Sequence, residues 1–430
     1  MKTYRREILL FALLAILYGT VFALFGSAYG LRMSVEALCY ALIALGLTIQ
    51  WGYAGLFNAG VMGFVAIGAF MTVLVSFPPN EAFWNSDMPA RLGAMALYAA
   101  IGIALTWGAS RLDRLGMPRR LRTLITVMTG AAAWLTVSAA LDPVARDIER
   151  QAGFIGGLGL PVLLGWAAGG AAAGAVAWFV GRICLGLRSD YLAIATLGIA
   201  EIVKALLKNA DWLTKGTLTV SPLPWPVPTP DQIGFVWARA SYLALMAMLV
   251  VVAWALLERA WRAPWGRMMR AIRDNEAAAA AMGKNVNRRR LEIFVLGSVL
   301  MGAGGAALVT FTRIFDPAGF LPLNHTFLIW VMIILGGAGS NLGAVFGALF
   351  VYVVWVMSEP AALLLFDAVR EAGQAWFGWQ APADLDSRAL QARVFVIGLT
   401  ITLVLRYAPA GLIPERAATH TPRPPAARGG

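Results

Sequence analysis

The chain is dominated by apolar runs close to 20 residues long, which recur from one end to the other. A helix needs about 20 apolar residues to cross the roughly 30 Å hydrocarbon core of a bilayer, and these runs are long enough. Only 13% of the 430 residues are charged, compared with about 25% in an average soluble domain. The sequence therefore predicts an all-α, polytopic membrane helical bundle and excludes a soluble fold.

We predict 10 to 12 transmembrane segments, because two of the apolar regions are interrupted by glycine-rich stretches. An uncleaved first helix is favoured over a signal peptide, since its apolar run is long for a signal sequence and many spans follow. The predicted segments are 8–30, 34–50, 54–76, 91–110, 123–141, 159–181, 190–208, 241–258, 291–312, 326–338, 343–357 and 393–408.

The basic residues that give the chain its net charge of +12 are concentrated in two short loops. Five arginines lie in residues 111–122 and nine basic residues lie in 258–290, whereas the loops 77–90, 142–158 and 358–391 lack such an excess. By the positive-inside rule, the two basic loops and both termini are cytoplasmic. The charge is thus a topology signal of a multi-pass inner (plasma) membrane protein with lipid around it, and no nucleic-acid partner is implied.

Two glycine-rich breaks, Trp51–Gly55 and Gly336–Asn341, are predicted to reverse the chain within the apolar regions 34–76 and 326–357. Non-helical backbone at membrane depth is tolerated only where it is packed in protein or lines a wet cavity, and transporters often build solute paths there. The alternative is a pair of short loops or close-packed helices, and the sequence leaves both interpretations open. The residues proposed for a path at the breaks are Gly52, Tyr53, Gly55, Asn58, Gly336, Gly337 and Gly339.

The predicted helix 190–208 carries Asp190, Glu201, Lys204 and Lys208 on one polar stripe. A charge at mid-membrane costs at least about 2.5–3.5 kcal/mol, so the stripe is expected to face the bundle interior, where Glu201 and Lys204 can pair. One interpretation has Asp190, Tyr191 and Glu201 lining a path for a zwitterionic solute. The other has Asp190 and Lys208 anchoring opposite helix ends.

The cytoplasmic loop contains a short stretch with clear helix signals. Asn275 can cap a helix whose first turn carries Glu276, and Gly283 can end it after a run of five alanines. Such a helix offers a smooth face to the groove of a partner, which is what a mechanical linker to an ATPase requires; the alternative is a solvated loop helix. The candidate coupling residues are Arg270, Arg273, Asn275, Glu276, Ala277, Ala278 and Gly283.

Several stretches together resemble the permeases of branched-chain amino acid ABC importers, specifically the larger M-type subunit. They are Trp51–Gly60, Leu187–Gly198, Arg270–Gly283 with Phe294–Gly297 and Gly302–Ala306, and Ile334–Ser340 with Gly343. The external region 209–240 departs from the pattern, since Lys215-Gly216-Thr217 replaces the glycine pair usual in the family, and the insert 77–158 is not distinctive.

The resemblance implies an importer in which this chain pairs with a homologous second permease, two cytoplasmic ABC ATPases and a periplasmic solute-binding protein. Residues 1–415 would then form one permease domain with a coupling loop at 259–290, followed by a disordered cytoplasmic tail at 416–430. No phosphate-binding loop is present, so ATP hydrolysis must come from partner chains, and no catalytic residues, metal ligands or cofactors are predicted. A urea or amide permease of the same family and an ion-gradient-driven secondary transporter are the alternatives.

Overall fold

The computed structural model describes residues 2–112, 118–378 and 385–415 and consists almost entirely of helices. Within these residues the only β-type pairings are two isolated bridges, Pro79 with Gly156 and Val220 with Phe315. The helices are α1 (Lys2–Phe25), α2 (Ser27–Thr48), α3 (Val61–Ser76), α4 (Glu81–Trp84), α5 (Met88–Ser110), α6 (Arg119–Gln151), α7 (Val162–Cys184), α8 (Ser189–Asn209), α9 (Asp211–Thr214), α10 (Pro230–Ile233), α11 (Phe235–Arg262), α12 (Pro264–Asp274), α13 (Glu276–Ala281), α14 (Val286–Thr312), α15 (Pro322–Gly336), α16 (Asn341–Phe377) and α17 (Leu385–Tyr407).

Helix α14 is the centre of the bundle and packs against α2, α3 and α7. It can do so because glycines lie where backbones meet, and small residues allow close approach where no water drives helices together. A Cβ added to Gly68 of α3 would lie 2.0 Å from the carbonyl oxygen of Gly302, and one added to Gly46 of α2 would lie 2.5 Å from that of Gly297. The core is thus set by backbone contacts as much as by side-chain volume.

The bundle has two distinct ends. At one end lie the loop with α12 and α13, the turn between α15 and α16, and residues 411–415. At the other end residues 220–223 pair with residues 313–315 after α14, through the Val220 amide to the Phe315 carbonyl at 2.9 Å and the Leu223 amide to the Arg313 carbonyl at 3.0 Å. The proline-rich region after α8 is therefore ordered, with only the single turns α9 and α10 being helical.

The insert 77–158 forms a hairpin of α5 and α6 that packs mainly on itself. The most apolar windows of the two helices are 11% and 0% buried by the rest of the chain. The hairpin is joined to the bundle at its base, where the Asn80 side chain donates to the carbonyls of Ala152 and Phe154 at 2.8 Å. Apolar helices with such exposed surfaces suit a lipid environment.

The all-α membrane bundle is confirmed, but the helix boundaries differ from the predicted spans. Among the described residues, eight helices are long and apolar enough to cross a membrane, and α3 and α15 are shorter apolar helices. The predicted break at 31–33 is wrong, since α1 ends at Phe25 and Gly26, at φ 83°, separates it from α2. The predicted external loop 358–391 is also wrong in part, because α16 continues to Phe377 through Pro360.

Candidate functional site

The coupling segment has the local structure that its sequence predicts. The Asn275 side chain accepts a hydrogen bond from the Ala278 amide at 2.9 Å, which caps the first turn of α13. Gly283, at φ 75°, takes the left-handed conformation just after the helix ends, which glycine adopts without strain. Glu276 pairs with Arg290 of α14 at 2.9 Å, and Ala277 and Ala278 are exposed. The capping and termination are confirmed, while the role in coupling stays a prediction.

Helix α12 attaches this segment to the bundle through an apolar face. Met269 and Ile272 are 0% and 1% exposed, and the guanidinium of Arg270 lies 4.5 Å from the centre of the Trp261 ring in α11. Because α12 runs directly into the Asn275 cap, α13 is connected to the bundle through a short, packed helix. Arg270 and Arg273 therefore contact the helical bundle, whereas α13 carries the exposed surface.

The first glycine-rich break begins with a π-helical turn, Ile49–Tyr53, that is tied to three other segments. The Tyr53 hydroxyl donates to Asn341 Oδ1 at 2.8 Å, at the start of α16. Asn341 Nδ2 in turn donates to Glu258 of α11 at 3.1 Å, and the rings of Tyr53 and Trp261 lie 4.0 Å apart. Tyr53 is fully buried, so this side chain is part of the packing and does not face an open path.

The first break does reverse the chain, as predicted. Helix α2 is antiparallel to α14, since Ile43 contacts Gly304 and Gln50 contacts Phe294. Helix α3 is parallel to α14, since the ring of Phe64 lies near that of Phe294 and the ring of Phe70 lies near that of Phe315, just beyond α14. Gln50 donates to the Phe294 carbonyl at 2.8 Å. At a helical rise of about 1.5 Å per residue, Phe294 lies about 12 Å along α14 from the first residue of that helix. The turn itself, at Gly52 and Gly55, lies against Gly339 and Arg273 at the end of the bundle that carries α12, whereas Gln50 just before it is fully buried.

The non-helical residues of this break are satisfied by buried side chains. Asn58, with 0% exposure, donates to Gln50 Oε1 at 2.8 Å and accepts from the Gly60 amide at 2.8 Å. The Thr196 hydroxyl of α8 accepts from the Ala59 amide at 3.1 Å, and Trp330 Nε1 of α15 donates to the Asn58 carbonyl at 3.0 Å. Since buried polar groups need such partners, Asn58 holds the break in place.

The second break packs against the end of the described chain. The amides of Leu412 and Ile413 donate to the carbonyls of Leu335 and Gly336 at 2.8 Å, so the segment 411–415 satisfies the last turn of α15. A Cβ on Gly337 would lie 2.3 Å from the Ile413 carbonyl oxygen. Gly337 is thus required by close backbone contact with residues 411–415, whereas Gly336 is required by its close approach to the Gly343 carbonyl of α16.

The two breaks touch each other, which the sequence did not predict. A Cβ on Gly52 would lie 2.5 Å from the Cα of Gly339. Arg273 of α12 donates to the Gly52 carbonyl and to Glu415 Oε2, the latter at 2.9 Å. Burial lowers the pKa of the Arg273 guanidinium, but the hydrogen bond and charge of Glu415, helped by Asp274, outweigh it and raise that pKa. Gly55 lies close by, since its added Cβ would be 3.6 Å from Cγ of Arg273.

The predicted orientation of the polar stripe on α8 was wrong for the chain by itself. Glu201 is exposed, as are Asp190 and Tyr191, the last at 62%, and no ion pair joins Glu201 to Lys204 within the part of the chain that the structure describes. The inward face of α8 is formed by Thr196 and Ala200 instead, because α3 approaches there with glycines. The stripe and the glycine breaks therefore lie on different surfaces.

Sequence reasoning missed several residues that hold this region together, among them Gln50, Thr196, Glu258 and Glu415. Gln50 lies next to the first break and could have been found as a polar residue at the end of an apolar run. Glu415 gave no local signal, because it stands at the border of a basic, proline-rich tail. The tail itself, residues 416–430, lies outside the described residues.

Comparison with known proteins identifies what this chain is similar to. A family model described as "Branched-chain amino acid transport system / permease component" matches residues 29–114 and 88–405. The chain is 24% identical over 392 residues to the probable branched-chain amino acid transport permease protein LivM of Methanocaldococcus jannaschii, covering 88% of this chain and 91% of that protein. It is also similar to the autoinducer 2 import system permease protein LsrC of Enterobacter sp., at 28% over 291 residues, covering 62% of this chain and 77% of LsrC. A third relative is the high-affinity permease LivH of Salmonella typhimurium, at 22% over 321 residues, covering 74% of this chain and 82% of LivH. No solved structure matches the chain.

Proposed function

The chain belongs to the family of branched-chain amino acid transport permeases, and we propose that two separate ATPases drive it through the exposed helix α13. It is a LivM-like permease subunit of an ABC importer and one component of a multi-subunit transporter. In this proposal residues 1–415 are the permease domain, 259–290 is the cytoplasmic coupling loop, and a periplasmic binding protein delivers the solute. The membrane is the inner (plasma) membrane, with both termini in the cytoplasm.

The observation that carries the proposal is the connection between α13 and the glycine-rich breaks. Helix α13 offers exposed alanines to a partner, and α12 joins it to Gly52 through Arg273 and to Trp261 through Arg270. A push on α13 is therefore transmitted by packed side chains to the ends of α2 and α15. Such a rigid connection is what alternating access requires, since a packed interface changes between discrete arrangements.

We place the solute path along the outward face of α8, against the second permease. Helix α8 has the length of a span but carries four charged residues, with Glu201 in its middle third and Lys204 in its final third. Contact with lipid is unfavourable for these charges, since a charged side chain at the centre of the membrane costs about 2.5–3.5 kcal/mol. Contact with water or with a partner subunit is more favourable for these charges than contact with lipid, which supports Asp190, Tyr191 and Glu201 as path residues. The break residues Gly52, Tyr53, Gly55, Asn58, Gly336, Gly337 and Gly339 then act as joints behind the path.

The solute is a branched-chain amino acid in this proposal. A urea or amide solute is the alternative within the same family, and an ion-gradient-driven carrier is the alternative from another class. Uptake by the purified complex separates them. Leucine uptake that requires ATP supports the proposal, urea uptake supports the first alternative, and uptake by the chain alone supports the second.

The coupling role is tested by Glu276→Arg and Gly283→Pro. We expect both variants to insert, assemble and hydrolyse ATP. The amount of leucine taken up per ATP hydrolysed is expected to fall at least fivefold. Glu276→Arg replaces the partner of Arg290 by a like charge at the helix start, and Gly283→Pro cannot adopt the observed positive φ. The measurement is ATP hydrolysis and uptake in the same proteoliposomes.

Gln374→Arg is the matched control for charge, because this exposed residue lies near the far end of α16. It is expected to leave the ratio of uptake to hydrolysis within twofold of the wild type. Unchanged uptake per ATP in both α13 variants would remove the coupling assignment.

A further inference from the structure

One guanidinium group lies against three segments that are distant from it in sequence. Arg273, on α12, donates to the carbonyl of Gly52 in the first break and to Glu415 Oε2 at 2.9 Å, with a longer contact to Glu415 Oε1 at 3.5 Å. A Cβ on Gly339, in the second break, would lie 3.4 Å from Arg273 Nη1 and 2.8 Å from Glu415 Oε2. The Arg273–Glu415 pair thus lies where the coupling loop, both breaks and the end of the described chain meet.

Glu415 is held in place by the backbone that precedes it. Leu412 and Ile413 are hydrogen-bonded to the last carbonyls of α15. Gly411 lies against Gly337, and a Cβ added to Gly411 would be 2.4 Å from the Cα of Gly337. The carboxylate is therefore attached firmly to α15. A movement of Arg273 is transmitted through Glu415 to α15, and through the Gly52 carbonyl to α2.

The pair is also suited to a change of state. The side chains are 26% and 22% exposed, so they are reached by water but not freely solvated. A cavity of about 310 Å³ lies beside them, lined by Glu258, Asn341 and Glu415 among others. The cavity gives the carboxylate space to move when α12 shifts.

From these contacts we propose that Glu415 is a positioning residue for transport, which holds Arg273 on the Gly52 carbonyl and so makes α12 move both glycine-rich breaks together. This inference rests on the proposed function, because it assigns the route by which motion of α13 reaches the membrane helices. It extends that function to a residue at the C-terminal end of the permease domain. The pairing partner of Arg273 is thus part of the coupling device and not a surface ion pair.

The test is Glu415→Gln in the assembled transporter, reconstituted with its ATPases and binding protein. The substitution keeps the shape of the side chain and removes its charge. We expect uptake of leucine per ATP hydrolysed to fall at least fivefold, with assembly and ATP hydrolysis retained at half the wild-type level or more. Glu292→Gln, which removes a carboxylate from the ion pairs with Arg288 and Arg289 nearby, is the matched control and is expected to change the ratio less than twofold.

A double variant distinguishes a shared device from two independent effects. If Glu415 acts by holding Arg273, then Arg273→Gln with Glu415→Gln loses no more coupling than Arg273→Gln alone, whereas additive losses would overturn the inference. A wild-type uptake-to-hydrolysis ratio in Glu415→Gln would overturn it as well, while leaving the ATP-driven function intact. Absence of ATP-dependent uptake by the wild-type complex would overturn the proposed function and this inference with it.

Discussion

At the scale of single residues, the polar side chains of the interior stabilise backbone that cannot form a helix. The amides of residues 56–60 make no α-helical hydrogen bonds; the side chains of Asn58 and Thr196 accept from the amides of Gly60 and Ala59, and Trp330 donates to the Asn58 carbonyl. Asn58 was predicted to line a solute path, but its amide nitrogen and its oxygen are both engaged within the protein. Its structural contribution is therefore directly measurable.

We predict that Asn58→Ala destabilises the protein by about 1–3 kcal/mol, because it leaves Gln50 Oε1 and the Gly60 amide buried without partners. Thermal unfolding of the purified chain in detergent measures the effect. Asn209→Ala is the control, since that exposed side chain makes one bond, to the Ala205 carbonyl at 2.7 Å. Equal melting temperatures for the two variants would contradict the assigned role.

At the scale of helices, length and polarity decide where each element packs. Helices α3 and α15 are too short to span by themselves, and α8 is too polar, yet these three pack together next to the first break. The capping residues of α13 could be predicted from local sequence because caps are local. The contact of α3 with α14 could not be predicted, because the spacing of glycines permits a close approach of helices but does not specify which helix packs there.

We predict that Gly68→Ala strongly destabilises the bundle, because the new Cβ would lie 2.0 Å from the Gly302 carbonyl and both backbones must separate. Gly93→Ala, in α5, is the matched control, since nothing lies within 4 Å of its added Cβ. There alanine is expected to be neutral or to stabilise the helix by up to about 1 kcal/mol. Size-exclusion profiles and melting temperatures in detergent are the measurements, and a Gly68→Ala protein as stable as Gly93→Ala would rule out the close contact.

At the scale of the whole molecule, the bundle has one end that carries α13 and another that carries the proline-rich region after α8. The first end includes nine basic residues in its loop, which predicts that it is cytoplasmic. Glu7 lines the cavity beside Glu415, so the N-terminal helix and residues 411–415 lie at that same end. Both termini of the permease domain are therefore expected on one side.

Cysteine labelling tests this orientation. In a variant with Cys39 and Cys184 replaced by alanine, Met282→Cys and Leu218→Cys provide thiols at positions that are 79% and 64% exposed at opposite ends. A membrane-impermeant maleimide is expected to label Leu218→Cys in spheroplasts and Met282→Cys only in inverted vesicles. The reverse pattern would place the coupling loop outside the cell and refute the proposed connection to ATPases.

The sequence by itself determined the features that depend on local pattern and composition. Apolar run length predicted an all-α membrane bundle, glycine-rich stretches predicted the two breaks, and Asn275 and Gly283 predicted the ends of α13. These succeed because hydrophobic length, capping and positive φ are properties of a few neighbouring residues. The motifs also indicated the permease family, since their residues follow one another in the family's order.

Only the tertiary structure decided which distant residues meet. The contact of Gly52 with Gly339, the pairing of Arg273 with Glu415 and the outward face of Glu201 all depend on how the helices pack. Helical periodicity places residues on a face, but it does not specify which neighbour covers that face. Both breaks are therefore held by hydrogen bonds and close backbone contacts, and the charged stripe of α8 lies on the outer surface of the chain.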